Sequence, residues 1–419
     1  MKVSKDELFA KIPAVDEAKV DAALNEEREA FDRKIIVLDD DPTGVQTVNG
    51  IHVYTDWTEE SIAAGFAEEN RMFFILTNSR AFQTAQTEAE HRTIAARVAA
   101  EARRTGKEFM LISRSDSTLR GHYPLETVTL ARTLEESGER IDGEVLMPFF
   151  KEGGRFTIGD VHYVQEGAEL TPAGDTEFAR DKTFGYTSSD MKEYIEEKTQ
   201  GAFRAADVVS ISLDDLRAMR VDVIIKQLMA VTDFRKVIVN AVDYVDVKVF
   251  AIAMIRAMKA GKHFLFRTAA AWTKVIGGVT DKPLLRRDEL VVPGNANGGL
   301  IIIGSHVKKT TEQFEKLREL DAVKFIEFNH LLVLDTPRLE EELQRIIRET
   351  EDAIRHGMTV AVYTGRKRFD AGSEEESLRV SVQISDALTS IVRRLSVQPA
   401  FLIACLLYTS PSPRDRTRS

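Results

Sequence analysis

Strand-like apolar runs alternate with amphipathic helical stretches along most of this 419-residue chain. Helices are predicted between the runs, for example at residues 87–104 and 124–137. This alternation predicts an α/β fold in which mostly parallel sheets are flanked by helices, with ligand-binding loops at the carboxyl ends of the strands. The predicted strands are residues 35–38, 72–77, 109–112, 144–147, 208–211, 236–239, 263–266, 300–303, 324–327, 359–363 and 400–403.

The length of the chain predicts two domains, because a single hydrophobic core rarely extends over this many residues. A Gly- and Asn-rich segment at residues 291–299 interrupts the alternation, and such a composition is typical of a linker. We therefore expect an N-terminal domain over residues 1–290 and a C-terminal domain over residues 291–404, each a mostly parallel sheet flanked by helices.

The composition argues against several classes of partner and site. A net charge of -10 and a pI near 5.5 disfavour binding to a nucleic-acid backbone or an anionic membrane. No apolar run approaches the roughly 20 residues that span a bilayer, so we expect a cytoplasmic protein. Cys405 is the one cysteine of the sequence, which excludes an internal disulfide and a cysteine metal cluster. The sequence leaves any metal ligands unknown.

Three adjacent aspartates, Asp39, Asp40 and Asp41, follow directly on the apolar run at residues 35–38 and lead into a Pro-Thr-Gly turn. Adjacent like charges repel, and removing them from water costs more still. A chain that places three carboxylates where a strand meets its loop is expected to use them for a cation, a hydroxyl or a proton. The alternative is a solvated turn that is merely acidic.

Arginines and hydroxyl side chains follow three further predicted strands, at residues 77–80, 113–122 and 148–157. Guanidinium groups bind carboxylates through two parallel hydrogen bonds, and hydroxyls suit a sugar. After the strand at 300–303, Gly304 and Ser305 offer a phosphate cradle at a helix start. We therefore predict a pocket for an anionic polyol, whose arginines are Arg80, Arg114, Arg120 and Arg155.

Two enzyme classes fit the acidic motif. The spacing of Asp39, Asp41 and Thr43 matches the DxDxT motif of haloacid-dehalogenase-type phosphatases, and residues 73–78 resemble their second motif. In that interpretation Asp39 attacks phosphorus and Asp41 acts as the general acid. The phosphatase interpretation leaves the arginine-rich loops and the second domain without a role.

The other class explains more of the chain, because several motifs resemble those of the four-carbon acid sugar kinases and occur in the same order. The DDxTG motif corresponds to residues 40–44 and the DSTxRG motif to residues 116–121, with Arg114 where many members carry lysine. The resemblance covers roughly residues 30–404. It implies a sugar-acid domain followed by an ATP domain, which together transfer the γ-phosphoryl group to a hydroxyl of a tetronate. The remaining family patterns, TxSR, PxxxxxGRxT and GSxxxxTxxQ, fall at residues 77–80, 148–157 and 304–313.

The resemblance also implies roles for individual residues. For catalysis it points to Asp40, Asp41 and Asp116; we favour Asp41 as the base, with Asp116 as the rival. Gly304 and Ser305 are expected to bind ATP phosphate, with Mg²⁺ between the phosphates. The residues expected to bind the sugar acid are Thr43, Gly44, Ser79, Arg80, Arg114, Ser117, Thr118, Arg120, Gly154 and Arg155.

Residues 405–419 differ from the rest of the chain, since they have no helical or strand period and end in a basic, Pro- and Ser-rich stretch. They look like a sequencing adapter translated in one frame, and we interpret them as foreign. Family members continue here into a Gly-Gly loop and a terminal segment that hold ATP. On that interpretation the chain binds ATP poorly, and a sugar-acid-binding fragment is a third hypothesis. A homodimer is suggested only by analogy with cytoplasmic enzymes.

Overall fold

The chain forms two compact units, Met1–Asp281 and Lys282–Ser419. The boundary predicted after residue 290 falls a little way into the second unit and stays a prediction. The sequence sets apart a tail at residues 405–419, of which residues 406–419 lie outside the described residues. The computed structural model describes residues 2–283, 285–291, 293–305, 308–366 and 374–405.

Strands and helices alternate as predicted, and the α/β class is confirmed. The strands are β1 Val3–Ser4, β2 Lys34–Asp39, β3 Val53–Tyr54, β4 Met72–Leu76, β5 Phe109–Arg114, β6 Gly143–Met147, β7 Arg155–Ile158, β8 Val161–Glu166, β9 Glu169–Pro172, β10 Val209–Ile211, β11 Arg235–Val239, β12 Phe264–Thr268, β13 Leu300–Ile303, β14 Val323–Phe328, β15 Thr359–Thr364 and β16 Leu402–Cys405. The helices are α1 Lys5–Phe9, α2 Glu17–Glu29, α3 Glu59–Ala67, α4 Thr84–Thr105, α5 Leu125–Glu136, α6 Met191–Lys198, α7 Leu213–Arg217, α8 Val221–Met229, α9 Tyr244–Lys259, α10 Ala270–Gly277, α11 Arg287–Leu290, α12 Lys308–Leu317, α13 Thr336–Arg355 and α14 Glu374–Arg394.

The first unit is built on a parallel sheet in the order β10-β11-β6-β12-β5-β2-β4-β3. After β2 the chain forms β3 and then β4 on one side of β2, and it returns to β5 on the other side. The order of the strands therefore reverses at β2, and in open α/β sheets ligands bind at such a switch point, beyond the carboxyl ends of the strands.

Both faces of this sheet are buried, which is why its strands read as continuous apolar runs. In β2 the alternate residues Ile35 and Val37 face one hydrophobic layer, with helices α2, α9 and α10. Ile36 and Leu38 face the other, with helices α3, α4 and α5. Every residue of β2 is buried, so packing on both faces of the sheet holds the backbone of Asp39, the last residue of the strand.

A second sheet of the first unit, in the order β1-β9-β8-β7, is antiparallel and was not predicted. Its strand Val161–Glu166 has a half-buried, alternating pattern rather than an apolar run. Its edge strand pairs Val3 with Leu170, a contact too distant in sequence for a local pattern to reveal.

The second unit has one parallel sheet in the order β14-β15-β13-β16. One hydrophobic layer of this unit joins strand residues to helices α13 and α14. Strand β13 lies between β15 and β16, so that the loop at its carboxyl end starts at the middle of the sheet. Among the helices of the described residues, none is both long and apolar enough to cross a membrane.

Candidate active site

The aspartate triplet begins at the carboxyl end of β2, between β4 and β5. The carbonyl of Asp39 accepts hydrogen bonds from the backbone N–H groups of Thr77 at 3.0 Å and Asn78 at 3.1 Å, which fasten the loop after β4 to the end of β2. Gly44 completes the turn by packing onto the Asp39 carboxylate, since a Cβ on Gly44 would lie 1.9 Å from Asp39 Oδ2. The turn therefore needs glycine for close approach.

Arg80 joins the second and third aspartates. Its Nη2 lies 2.7 Å from Asp40 Oδ1 and its Nε lies 3.2 Å from Asp40 Oδ2. Its Nη1 lies 3.1 Å from Asp41 Oδ2. On the other side of the triplet, Arg114 Nη1 lies 3.6 Å from Asp40 Oδ1. Alternating guanidinium and carboxylate groups offset the repulsion between the adjacent aspartates.

Asp39 is the most enclosed of the three aspartates, with 1% of its surface exposed. Burial raises the pKa of Asp39 to about 7, opposed by Arg114, whose Nη1 lies 3.4 Å from Asp39 Oδ1, and reinforced by the charges of Asp40 and Asp41. Because Gly44 and Arg114 cover this carboxylate, the geometry disfavours Asp39 as a nucleophile that must reach phosphorus.

The other two carboxylates differ in their access to solvent. The side chain of Asp40 is 3% exposed, and burial raises its pKa against the opposing charge of Arg80. The side chain of Asp41 is 20% exposed. Burial would raise the pKa of Asp41 too, but Arg80 and the hydrogen bonds from Thr43 outweigh it and lower that pKa below its usual range. The Thr43 bonds to Asp41 Oδ1 come from its backbone N–H at 2.8 Å and from its hydroxyl. Asp41 is therefore the triplet carboxylate that is both ionised and accessible.

The loop after β5 supplies a second carboxylate–guanidinium pair. Arg120 Nε lies 2.5 Å from Asp116 Oδ2, and the Thr118 hydroxyl donates to the same oxygen. Burial disfavours the charge on Asp116, but Arg120 and Arg80 outweigh it and hold the pKa of this carboxyl far below its usual range. The interaction with Arg80 places Asp116 in the same cluster as the aspartate triplet.

Three buried side chains, those of His162, Tyr186 and Tyr194, hold the backbone of this loop. We call these three side chains the carbonyl clamp. His162 Nε2 lies 2.8 Å from the carbonyl oxygen of Ser117, while its Nδ1 lies 3.0 Å from the Thr157 hydroxyl. Burial lowers the pKa of His162 to about 4, so the ring is neutral. Tyr186 and Tyr194 donate to the next two carbonyls along the loop, those of residues 118 and 119, at 2.8 Å and 3.0 Å.

The carbonyl clamp was not predicted from sequence. Tyr194 lies on α6 and Tyr186 precedes that helix, far along the chain from the loop that they hold. No local spacing connects these tyrosines to residues 116–121, and only the tertiary fold brings them together.

A buried ion pair also escaped the sequence analysis. Arg267, at the carboxyl end of β12, places Nη1 2.6 Å from Glu126 Oε2, and Glu126 Oε1 accepts a 2.6 Å hydrogen bond from the Ser79 hydroxyl. Glu126 lies on the helix predicted at 124–137, where one glutamate among several carries no signal. Ser79 therefore orients Glu126 rather than facing the loop as a free hydroxyl.

Gly154 and Arg155 lie where β7 begins. Gly154 has φ +70°, a conformation that favours glycine, and it turns the chain so that the backbone N–H of Arg155 bonds the carbonyl of Phe150 at 2.9 Å. Asp116 and Arg120 both act electrostatically on the guanidinium of Arg155. Arg155 therefore belongs to the same cluster as the aspartate triplet, Asp116 and Arg120, which we call the first-unit cluster, although it comes from the antiparallel sheet.

The second unit has its own polar group at the carboxyl ends of β13 and β15. The Thr310 hydroxyl donates to Ser305 Oγ at 3.2 Å, on the loop that Gly304 begins. Arg366, which follows β15, donates to the carbonyl of Ser305 at 2.7 Å and to the hydroxyl of Thr311 at 2.6 Å. Arg366 was not predicted from the sequence.

The predicted residues thus form two groups. Most of those in the first unit lie at the carboxyl ends of β2, β4 and β5, while Gly154 and Arg155 lie at the start of β7. Gly304 and Ser305 lie in the second unit. Among the described residues, no group of three or more histidine, cysteine, aspartate or glutamate side chains is arranged to hold a metal ion.

Comparison with known proteins identifies both units. Residues 35–276 match the family model described as a sugar-binding N-terminal domain, and residues 300–404 match the one described as a nucleotide-binding C-terminal domain. No protein with a curated description matches the sequence.

Solved structures with a similar fold share little sequence with the chain. A protein described as a putative tRNA synthase from Salmonella typhimurium LT2 has a TM-score of 0.57 and 13% identity, over 86% of this chain and 82% of its own. A Haemophilus influenzae protein of a family described as a domain of unknown function has a TM-score of 0.50 and 14% identity, over 86% and 83%. A domain of unknown function from Bordetella bronchiseptica, solved with bound citrate as a domain-swapped dimer, has a TM-score of 0.43 and 18% identity, over 89% and 83%.

Proposed function

Because the chain belongs to the four-carbon acid sugar kinase family, we propose that it transfers the γ-phosphoryl group of Mg-ATP to a hydroxyl of a tetronate. The acceptor is an erythronate, a threonate or a 3-oxo-tetronate. The first unit binds the acid, and the second binds the nucleotide.

The observation that carries this proposal is the alternation of carboxylates and guanidinium groups at the end of β2. Arg80 lies between Asp40 and Asp41, while Arg120 pairs with Asp116. Carboxylates accept hydrogen bonds from sugar hydroxyls, and guanidinium groups donate to hydroxyls and to a carboxylate. A ligand that carries both groups fits this site better than a simple phosphate ester does.

Asp41 is the proposed general base. Its Oδ1 is held by Thr43, while its Oδ2 contacts Arg80, so the carboxylate has a fixed orientation and keeps its charge at neutral pH. As the acceptor oxygen bonds to the γ-phosphorus, the bond from that phosphorus to the bridging oxygen of ATP breaks and ADP leaves. The proton of the acceptor hydroxyl passes to Asp41.

The second unit supplies the proposed nucleotide site. The loop from Gly304 to Ser305 follows β13 and precedes α12, and backbone N–H groups near the start of a helix favour phosphate. Arg366 contributes a positive charge beside Ser305. Mg²⁺ enters with ATP as part of the substrate and neutralises charge on the phosphates.

The test is incubation of the chain with Mg-ATP and a panel of erythronates, threonates and 3-oxo-tetronates. At saturating Mg-ATP we expect ADP release together with a tetronate product that gains the mass of one phosphoryl group. Saturable tetronate binding without ADP release would favour the sugar-acid-binding fragment. Hydrolysis of a phosphate ester without ATP, accompanied by a phosphorylated Asp39, would favour the phosphatase instead.

A further inference from the structure

The arginines of the first-unit cluster are not equivalent. Arg80, Arg114 and Arg120 each have a carboxylate oxygen within 4 Å. Arg155 forms no ion pair at that distance with any described residue, and its Nε is buried without a hydrogen-bond partner. Arg155 is half-buried, and a guanidinium nitrogen that is buried without an acceptor costs free energy, so the position favours an incoming acceptor.

The surroundings of Arg155 restrict what that acceptor is. Its Cζ lies 5.6 Å from the centroid of the Phe178 ring, and Arg120 Cζ lies 5.0 Å from the same centroid. Phe178 belongs to a short 3₁₀ helix, Glu177–Arg180. Contact with an aromatic ring stabilises a guanidinium and fixes its plane, so one ring orients two arginines although their charges repel each other.

The charge of Asp116 compensates only part of the burial of Arg155. Asp116 is paired with Arg120 through a 2.5 Å contact and raises the pKa of Arg155 only in part, against the larger lowering by burial. A second anion beside Arg155 would offset more of the cost of its burial. Carboxylates bind guanidinium groups through two parallel bonds, and the donors of Arg155 are the ones left available.

We propose that Arg155 binds the carboxylate of the sugar acid and that Phe178 fixes the orientation of Arg155 and Arg120 for this contact. This assignment rests on the proposed function and adds an orientation to it. The acid end of the substrate lies at β7, and its hydroxyls lie toward Asp40 and Asp41. Phe178 acts as a specificity-determining residue through the arginines.

The experiment is a calorimetric titration of the full chain without nucleotide, using each tetronate and its carboxamide, which has the same hydroxyls but no charge. Arg155→Gln should weaken binding of the acid about 10- to 100-fold, the range expected for loss of a charge-assisted hydrogen-bonded pair, and change binding of the amide by less than about threefold. Phe178→Leu should weaken acid binding about two- to fivefold, and Arg155→Lys should recover part of the loss. The control is Arg180→Gln, which removes the same charge from an exposed position of the same 3₁₀ helix and should leave both affinities unchanged.

The outcomes separate this inference from the function on which it rests. If the wild-type chain binds the acids and Arg155→Gln weakens acid and amide equally, the carboxylate assignment is wrong while the kinase proposal stands. If Arg155→Gln leaves binding of the acid unchanged, the assignment is also overturned. If the wild-type chain binds no tetronate and phosphorylates none, both proposals fall. Trp57 and Trp272, the two tryptophans of the chain, lie in the first unit, so their fluorescence during thermal unfolding shows whether each variant is folded.

Discussion

The polar side chains of the two units differ in their charges and in their hydrogen-bonding partners. In the first unit, Asp40 and Asp41 are linked by Arg80 within a dense set of buried charges. In the second, Arg366 donates to the carbonyl of Ser305 and to the hydroxyl of Thr311, at the ends of β13 and β15. Mixed donors and acceptors suit a polyhydroxylated acid, whereas a cation beside a helix start suits phosphate. This difference is expected if each ligand has its own unit, as proposed above.

The largest effect is expected from Asp41→Asn, which tests whether the first-unit cluster performs chemistry or only binds. The amide keeps the shape of the side chain but cannot take the acceptor proton, so kcat should fall about 10²- to 10⁴-fold. The Michaelis constants for tetronate should change little. The matched control is Asp207→Asn, at an exposed aspartate of the same unit. An unchanged kcat would transfer the role of base to Asp116.

The next largest effect is expected from the buried carboxyl group of Asp39, which makes the stability of the folded chain depend on pH. Its pKa is about 7 in the folded chain and 3.8 ordinarily, so the folded state binds more protons between these values. The contribution of Asp39 to the free energy of unfolding is therefore fully present below about pH 4 and is lost as the pH rises through 7, by at most about 4 kcal/mol. Relative to wild type, Asp39→Asn should gain stability between pH 5 and 8.

Urea unfolding followed by tryptophan fluorescence at several pH values measures this difference. Because both tryptophans lie in the first unit, the signal reports on the unit that contains Asp39. A stability difference between Asp39→Asn and wild type that does not vary with pH would show that Asp39 is ionised throughout.

Gly44→Ala probes how tightly the acidic turn is packed. The added Cβ would lie 1.9 Å from Asp39 Oδ2, and crowding of this kind costs about 1–3 kcal/mol. Thermal unfolding of the first unit should shift downward accordingly. The double variant Asp39→Ala with Gly44→Ala removes the clashing carboxylate, and it should lose much less stability than the sum of the two single changes. Additive losses would contradict the close packing.

The smallest effect is expected from Tyr194→Phe, which removes one donor of the carbonyl clamp. The carbonyl of Leu119 loses its 3.0 Å hydrogen bond, at a cost of about 1 kcal/mol. We expect this loss in the thermal unfolding of the first unit together with a higher Michaelis constant for tetronate. The control is Tyr163→Phe, since the Tyr163 hydroxyl makes no hydrogen bond within the described part of the chain. Equal effects of the two changes would argue against the clamp.

The sequence predicted the parallel sheets well because their strands are buried on both faces. The run at 35–38 became Lys34–Asp39, and the run at 300–303 became Leu300–Ile303 without change. The strand predicted at 400–403 is shifted toward the C-terminus, to Leu402–Cys405. The antiparallel sheet was not predicted because its strands are only half-buried and because its edge strand β1 pairs with the distant β9.

Sequence motifs identified the site residues that are close together along the chain. The other site residues are brought together only by the fold. Residues 39–44 and 116–121 are contiguous, so they are visible in a single sequence. Glu126 and Arg267 are far apart along the chain and meet only because α5 and β12 are neighbours. The solvent exposure of each aspartate depends on the tertiary fold, and the Asp41 side chain is more exposed than that of Asp40 or Asp39.

The separation of the two ligands is tested most directly by calorimetric titration of a tetronate and of Mg-ATP into Arg80→Lys and Arg366→Lys. Both changes keep the charge but remove the guanidinium fork. We predict that Arg80→Lys weakens binding of the tetronate at least tenfold and changes binding of Mg-ATP by less than about twofold, while Arg366→Lys does the reverse. Loss of both ligands in either variant, or the opposite assignment, would contradict separate sites for the acid and the nucleotide.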